Sequence, residues 1–130
     1  MNTNPSMHWD VTAVRRAGTY HETRGEACQD FTAVAHSGAV TAIALADGAG
    51  SCSRAEDGAR IAAEITAQLL ARDAQQLESL EDTDIRYHVL MTVRMALDEY
   101  CWDEDVYLKD VGSTLLAAAA TQNNLLGIHL

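Results

Sequence analysis

The sequence predicts an α+β domain in which strands flank a pair of helices. Three observations indicate this class: apolar stretches of strand length lie towards both ends of the chain, two segments between them have helical periodicity, and strands and helices do not alternate. A chain of 130 residues with 48% hydrophobic residues can form one core. We therefore expect a single domain over residues 1–130.

The first third of the chain is predicted to contain three strands. Residues 9–16 include several β-branched side chains and indicate a strand, whereas residues 18–26 have the composition of a polar loop. Residues 31–36 and 39–46 flank Ser37-Gly38, a two-residue connection typical of a tight hairpin. These two segments are expected to pair as antiparallel strands.

A helix is expected to follow the hairpin. Ser53 and Glu56 have the spacing of a capping box, in which each side chain satisfies a free amide of the first helical turn. Apolar residues then recur at three- and four-residue intervals. This pattern predicts a helix that begins at Ser53 and ends near Arg72.

The helical period returns after a polar stretch and predicts a second helix over about residues 85–102. Met91 and Met95 are expected to fill gaps in the core. Residues 111–121 and 125–130 resemble two further strands, joined by a short polar connection. The second of them stops without a turn or polar tail, which suggests a chain cut where a sheet should continue.

The charge balance disfavours several functions. Nineteen acidic and nine basic residues give a net charge of -10, so the surface should repel nucleic acid and anionic lipid. The three cysteines are far apart and form no Cys-x-x-Cys pair, which predicts reduced thiols rather than disulfides or structural zinc. No stretch approaches the roughly 20 apolar residues of a membrane span, and residues 1–8 lack the apolar core of a secretory signal. We expect a cytoplasmic protein that binds neither nucleic acid nor membrane.

The most informative motif is an apolar run that ends in Asp47 and enters the glycine-rich turn at residues 48–51. A carboxylate there can hold a metal at the rim of a sheet, and Gly48 and Gly50 allow a ligand to approach the backbone. Taken alone, Asp-Gly is equally an ordinary strand-to-helix turn. A phosphate cradle over residues 47–53 is a further alternative, but no Gly-Lys-Ser/Thr follows and Asp47 would repel a phosphate unless a metal intervened.

Three separated segments complete a pattern: Gly18-Thr19-Tyr20-His21 with Cys28-Gln29-Asp30-Phe31, then residues 46–51, then Gly112-Ser113-Thr114-Leu115-Leu116. In this order and spacing they resemble the metal-dependent serine/threonine phosphatases of the protein phosphatase type 2C family, specifically its bacterial branch. The resemblance covers nearly the whole chain. It implies two stacked antiparallel sheets with antiparallel helices packed outside. The expected architecture is an incomplete β-sandwich with a helix pair, formed by the N-terminal portion of such a domain.

The resemblance also implies a metal site. Asp47 corresponds to the carboxylate that bridges two ions, Mn²⁺ or Mg²⁺, and Gly48 would lend its carbonyl to one of them. Asp30 would help to organise metal-bound water, and Gln29 stands where many members carry glutamate. The residues at 112–114 are interpreted as structural.

Other implied positions depart from the family pattern. Arg24 lies close to where the family places a phosphate-gripping arginine, with Arg15 or Arg16 as alternatives. His21 matches a histidine of the bacterial branch and would lie outside the metal ligands. Ala49 replaces a histidine that many members carry, so the sequence identifies no proton donor for the leaving group.

The resemblance finally implies partners and an incomplete ligand set. A phosphoserine or phosphothreonine protein would be the substrate, and a kinase acting on the same target would be its opponent. The family's further metal-binding aspartates follow the strand that residues 125–130 resemble, so weak metal binding and little turnover are expected of this polypeptide. Either the chain is a fragment of a longer phosphatase, or it is a natural half-domain that binds a partner or a second copy through an open sheet edge.

Overall fold

The computed structural model describes residues 8–130. In chain order the elements are α1 (Thr19–Arg24), β1 (Asp30–Ser37), β2 (Val40–Gly48), α2 (Ala55–Leu77), α3 (Asp82–Glu104), a 3-10 turn (Leu108–Asp110), β3 (Ser113–Ala120) and β4 (Leu125–His129). The strands form one antiparallel sheet in the order β1-β2-β3-β4. The predicted α+β class is confirmed, and the described residues supply one sheet of the expected sandwich together with its helix pair.

The β1–β2 hairpin forms as predicted, but its loop is one residue further along the chain. Ser37 pairs with Val40, so the loop consists of Gly38 and Ala39. Gly38 has φ 57°, a value that glycine adopts without the penalty a Cβ would bring.

Two predictions for the region before β1 are wrong. Residues 9–16 form no strand; residues 11–14 instead lie across one face of the sheet, above an open groove of about 520 Å³. Residues 18–26 contain the short helix α1 rather than a loop. Gly25 ends this helix in the left-handed conformation, and its amide and that of Glu26 bond back to the carbonyls of Glu22 and His21. The segment of residues 1–8, predicted to lack a secretory signal, is largely outside the described residues.

The start of α2 also differs from the prediction. Its N-cap is Arg54, no side chain caps the helix, and Ser53 lies outside it. Tertiary contacts hold this end instead, since the Arg54 amide donates to the Asp110 carbonyl at 2.8 Å. The helix continues five residues beyond Arg72 because Ala74 and Leu77 extend its buried face.

The core lies between α2 and the sheet and is built largely from small residues. Along β2, Ala42, Ala44 and Ala46 are buried, and alanines of α2 belong to the same cluster. Small side chains on both surfaces let the helix lie close to the strands. The larger buried members of this cluster are Val40, Leu69, Leu70, Leu77, Ile85, Val89, Val93, Leu115 and Ile128.

The helix α3 runs antiparallel to α2 and packs beside it. Four residues connect the two helices, and Tyr100 near the end of α3 donates a 2.7 Å hydrogen bond to Asp57 near the start of α2. The helix covers the predicted 85–102 and extends beyond it at both ends. Met91 and Met95 are exposed, so the prediction that they fill the core is wrong.

Candidate functional site

A row of polar side chains crosses the end of the sheet on the face opposite α2. The strand register pairs Asp30 of β1 with Asp47 of β2, and Asp47 with Thr114 of β3. Directly paired residues of antiparallel strands point to the same face, so these three side chains are neighbours. We refer to Asp30, Asp47 and Thr114 as the carboxylate row.

The same face becomes apolar away from this row. Alternation along β2 buries Ala44 and Ala46 against the helix and leaves Ile43, Leu45 and Asp47 on the open side. The carboxylate row therefore lies at one end of an otherwise apolar surface.

The two carboxylates interact electrostatically. Burial raises the pKa of Asp30, and the adjacent Asp47 raises it further through a shared hydrogen bond and its negative charge. The charge of His21 lowers the pKa of Asp30 and so opposes part of this rise. The His21 Nδ1 atom is 3.0 Å from an oxygen of Glu26, so a third carboxylate orients the ring.

The turn after Asp47 is held too tightly for a side chain at position 48. A Cβ built on Gly48 would lie 2.6 Å from the Ala55 carbonyl oxygen and 2.8 Å from that of Gln29. The Gly48 amide donates to Gln29 O at 3.1 Å, and the Ala49 amide donates to Gly112 O at 2.8 Å. Gly48 thus joins the start of β1 to the start of α2, and this junction fixes the position of Asp47.

Gln29 also faces the turn through its side chain. Its Oε1 atom lies 3.5 Å from the position that a Cβ of Gly50 would take. The side-chain amide of Gln29, the residue that precedes Asp30, therefore reaches the glycine-rich turn beside the carboxylate row.

The arginines before β1 have different surroundings. Arg15 donates from Nη1 to the Asp30 carbonyl oxygen at 3.1 Å, and its guanidinium lies 4.9 Å from the centre of the Phe31 ring. Arg24 lies over Tyr20 at 4.3 Å, with Nη1 3.9 Å from an oxygen of Glu26. Arg15 is thus fixed at the backbone of the carboxylate row, whereas the contacts of Arg24 are with the α1 region.

The carboxylate row provides some of the oxygen ligands that a hard divalent cation requires, but not a full set. Two adjacent carboxylates, with a hydroxyl beside them, form the oxygen-rich set that Mn²⁺ and Mg²⁺ prefer. Within residues 8–130, however, no three His, Cys, Asp or Glu side chains come close enough to hold an ion together. The described residues therefore fit a metal site as a partial ligand set.

The position of Thr114 beside Asp47 was not anticipated from the sequence, which treated residues 112–114 as structural. The signal that could have identified it is the strand register, because a residue directly opposite Asp47 on the next strand must share its face. Register cannot be read from the motif Gly-Ser-Thr alone.

Comparison with known proteins identifies a family for this chain. The family model described as Protein phosphatase 2C matches residues 17–130, which include every element from α1 to β4. Searches of curated proteins and of solved structures each found no significant match. Among residues 8–130, no helix has the length and apolar character required to cross a membrane. Since the family model covers most of the chain and all of the carboxylate row, the chain belongs to the protein phosphatase 2C family.

Proposed function

We propose that this chain contributes to the metal-dependent hydrolysis of phosphoserine or phosphothreonine in proteins, with Mn²⁺ or Mg²⁺ as cofactor. The observation that carries the proposal is the direct pairing of Asp30 with Asp47 in a chain of the protein phosphatase 2C family. Adjacent carboxylates on one face repel each other unless a cation or a proton lies between them.

The residues have distinct proposed roles. Asp47 would hold the cation with its carboxylate and Gly48 would add its backbone carbonyl, while Asp30, paired directly with Asp47, would orient the water bound to the cation. When bound, such ions supply a water nucleophile and neutralise the phosphoryl oxygens. Gln29 would orient solvent at the glycine-rich turn through its amide.

The proton and the phosphate need further groups. His21, whose ring is hydrogen-bonded to Glu26 and whose charge acts on Asp30, would position a proton at the edge of the row. Arg24 remains our proposed phosphate ligand by family correspondence. Arg15 is the alternative, since its guanidinium already contacts the Asp30 backbone and a guanidinium fork matches phosphate.

The number of carboxylates limits the expected affinity. Two ions carry four positive charges, and the carboxylate row supplies two negative ones, so we propose that the chain binds metal weakly and turns over slowly. A kinase that phosphorylates the same target is the proposed opponent of this activity.

The test is hydrolysis of a phosphothreonine peptide by the full chain, with and without Mn²⁺. We expect slow hydrolysis that depends on Mn²⁺ and is lost in Asp47→Asn, because a neutral amide is a poor ligand for a hard cation. The control variant is Asp103→Asn, an exposed carboxylate at the end of α3, which should behave as the unchanged chain.

A second candidate function is favoured by the small ligand set: a non-catalytic phosphatase-like module that binds a partner through its sheet edge. It predicts no hydrolysis under any metal condition. Metal binding measured by calorimetry separates the two, since the catalytic proposal requires Mn²⁺ binding that Asp47→Asn abolishes.

A further inference from the structure

The helix α3 carries apolar residues on two opposite faces. One face is buried against the rest of the domain through Ile85, Val89 and Val93. The opposite face carries a line of large apolar side chains at intervals of four, four and seven residues, the spacing that keeps residues on one side of a helix. This line, which we call the outer stripe, consists of Tyr87, Met91, Met95 and Trp102.

The outer stripe is open to solvent. Met95 is 69% and Trp102 is 88% exposed, and Tyr87 and Met91 are exposed as well. Single apolar residues on a surface need no explanation, but a continuous line of them marks an interaction site. Tryptophan and methionine are suited to such a site, because the former anchors interfaces and the latter adapts its shape to a partner.

The charges around the outer stripe are mostly negative. Within α3, six carboxylates stand against two guanidinium groups, and Asp105 follows directly at the C-cap. Arg94 is already paired, since its Nε atom lies 3.0 Å from both carboxylate oxygens of Asp98. Two further acidic residues share the side of the helix that carries the stripe, since Asp84 precedes Tyr87 by three residues and Glu99 follows Met95 by four.

We propose that the outer stripe of α3 is a docking surface for a basic amphipathic segment of another protein. Apolar residues of the partner would cover Met91, Met95 and Trp102, and its Lys or Arg side chains would meet the flanking carboxylates. A second copy of this chain is the wrong occupant, because both surfaces would present acidic borders on molecules of net charge -10. The proposal does not depend on phosphatase activity.

The test uses a synthetic helical peptide of about 18 residues made of Leu and Lys in amphipathic order, and a matched peptide with Glu in place of Lys. The chain has two tryptophans, so the Trp9→Phe variant reports only from Trp102. We expect the Lys peptide to shift Trp102 emission to shorter wavelength with saturable binding, and the Glu peptide to leave it unchanged. Binding should weaken with added salt.

Two variants locate the site. Met95→Lys should weaken binding of the Lys peptide by roughly tenfold or more, whereas Leu125→Lys, at an equally exposed apolar residue on β4, should leave it unchanged. Equal weakening by both variants would mean charge-driven binding without a site and would overturn the proposal. So would equal binding of the Glu peptide, or a dimer of the chain in sedimentation that Met95→Lys dissociates.

Discussion

Two like charges are held side by side at the rim of the sheet by backbone pairing. The β1–β2 ladder runs from Ser37 and Val40 at the loop to Asp30 and Asp47 at the open end, so a two-residue loop fixes the distant pair. Two carboxylates that lie opposite each other destabilise a sheet unless a proton or a cation lies between them. At the scale of single residues, the proposed metal site is therefore a compromise between stability of the sheet and binding of the cation.

This compromise predicts that Asp30→Asn has opposite effects on stability and on metal binding. Removal of the repulsion should raise the free energy of unfolding of the metal-free chain at neutral pH by about 0.5 kcal/mol, while the affinity for Mn²⁺ falls. Urea denaturation and calorimetry measure the two quantities. Because the pKa of Asp30 is raised, the stability difference should shrink as the pH falls through that pKa and the carboxyl becomes protonated. A loss of stability at neutral pH would contradict the account.

At the scale of elements, the start of α2 is fixed by close backbone contacts rather than by a capping side chain. Gly58 lies against the loop before β3, where a Cβ would overlap the backbone of Val111. Gly48 meets the backbone of Ala55 in the same way. Because neither glycine has a side chain, α2 can approach β2 and the loop before β3 closely.

We predict that Gly58→Ala destabilises the domain by roughly 2 kcal/mol. Overpacking against a backbone carbonyl should outweigh the helix propensity of about 1 kcal/mol that alanine gains over glycine. Gly127→Ala is the matched control, since a Cβ there meets nothing within 4 Å. Denaturant unfolding measures the free energy of unfolding of both variants. If Gly58→Ala is as stable as the unchanged chain, the close contact at Gly58 is refuted.

The pairing of α2 with α3 has a titratable marker. Burial and the hydrogen bond to Asp57 raise the pKa of Tyr100 to about 12, above the value of about 10 that is usual for a tyrosine. The folded chain therefore keeps this proton more tightly than the unfolded chain, and stability should fall as the pH rises from about 10 towards 12.

Tyr100→Phe should remove most of this alkaline loss of stability, and the late phenolate should disappear from an ultraviolet titration. Tyr87→Phe, at an exposed position of α3, should keep both features. An alkaline stability profile that is identical in the two variants would show that the Tyr100–Asp57 bond does not link the helices.

At the scale of the whole molecule, the sequence predicts the order of elements well and their positions less well. The hairpin and both long helices follow from local apolar periodicity. The register does not: a loop at Ser37-Gly38, as the motif suggested, would pair Asp30 with Leu45 instead of Asp47. The start of α2 was misplaced for a related reason, because Arg54 is held by a distant carbonyl that no local motif reveals.

The two faces of the sheet have different tasks. One face is closed by α2 through small side chains, and the other carries the carboxylate row beside an exposed apolar area that includes Ile43, Leu45 and Leu116. Residues 11–14 cross this area, and Arg15 then bonds to the start of β1. The segment before α1 thus connects the open face of the sheet to the carboxylate row. The strand predicted for residues 9–16 does not account for this connection.

The measurement that tests the central claim most directly is amide NMR of the full chain titrated with Mn²⁺, whose unpaired electrons broaden nearby signals. The account predicts that the signals of Asp30, Asp47, Gly48 and Thr114 broaden first, and that Asp47→Asn removes this selectivity. Broadening that begins instead at the acidic end of α3, around residues 103–105, and is unchanged in Asp47→Asn would contradict a metal site at the carboxylate row.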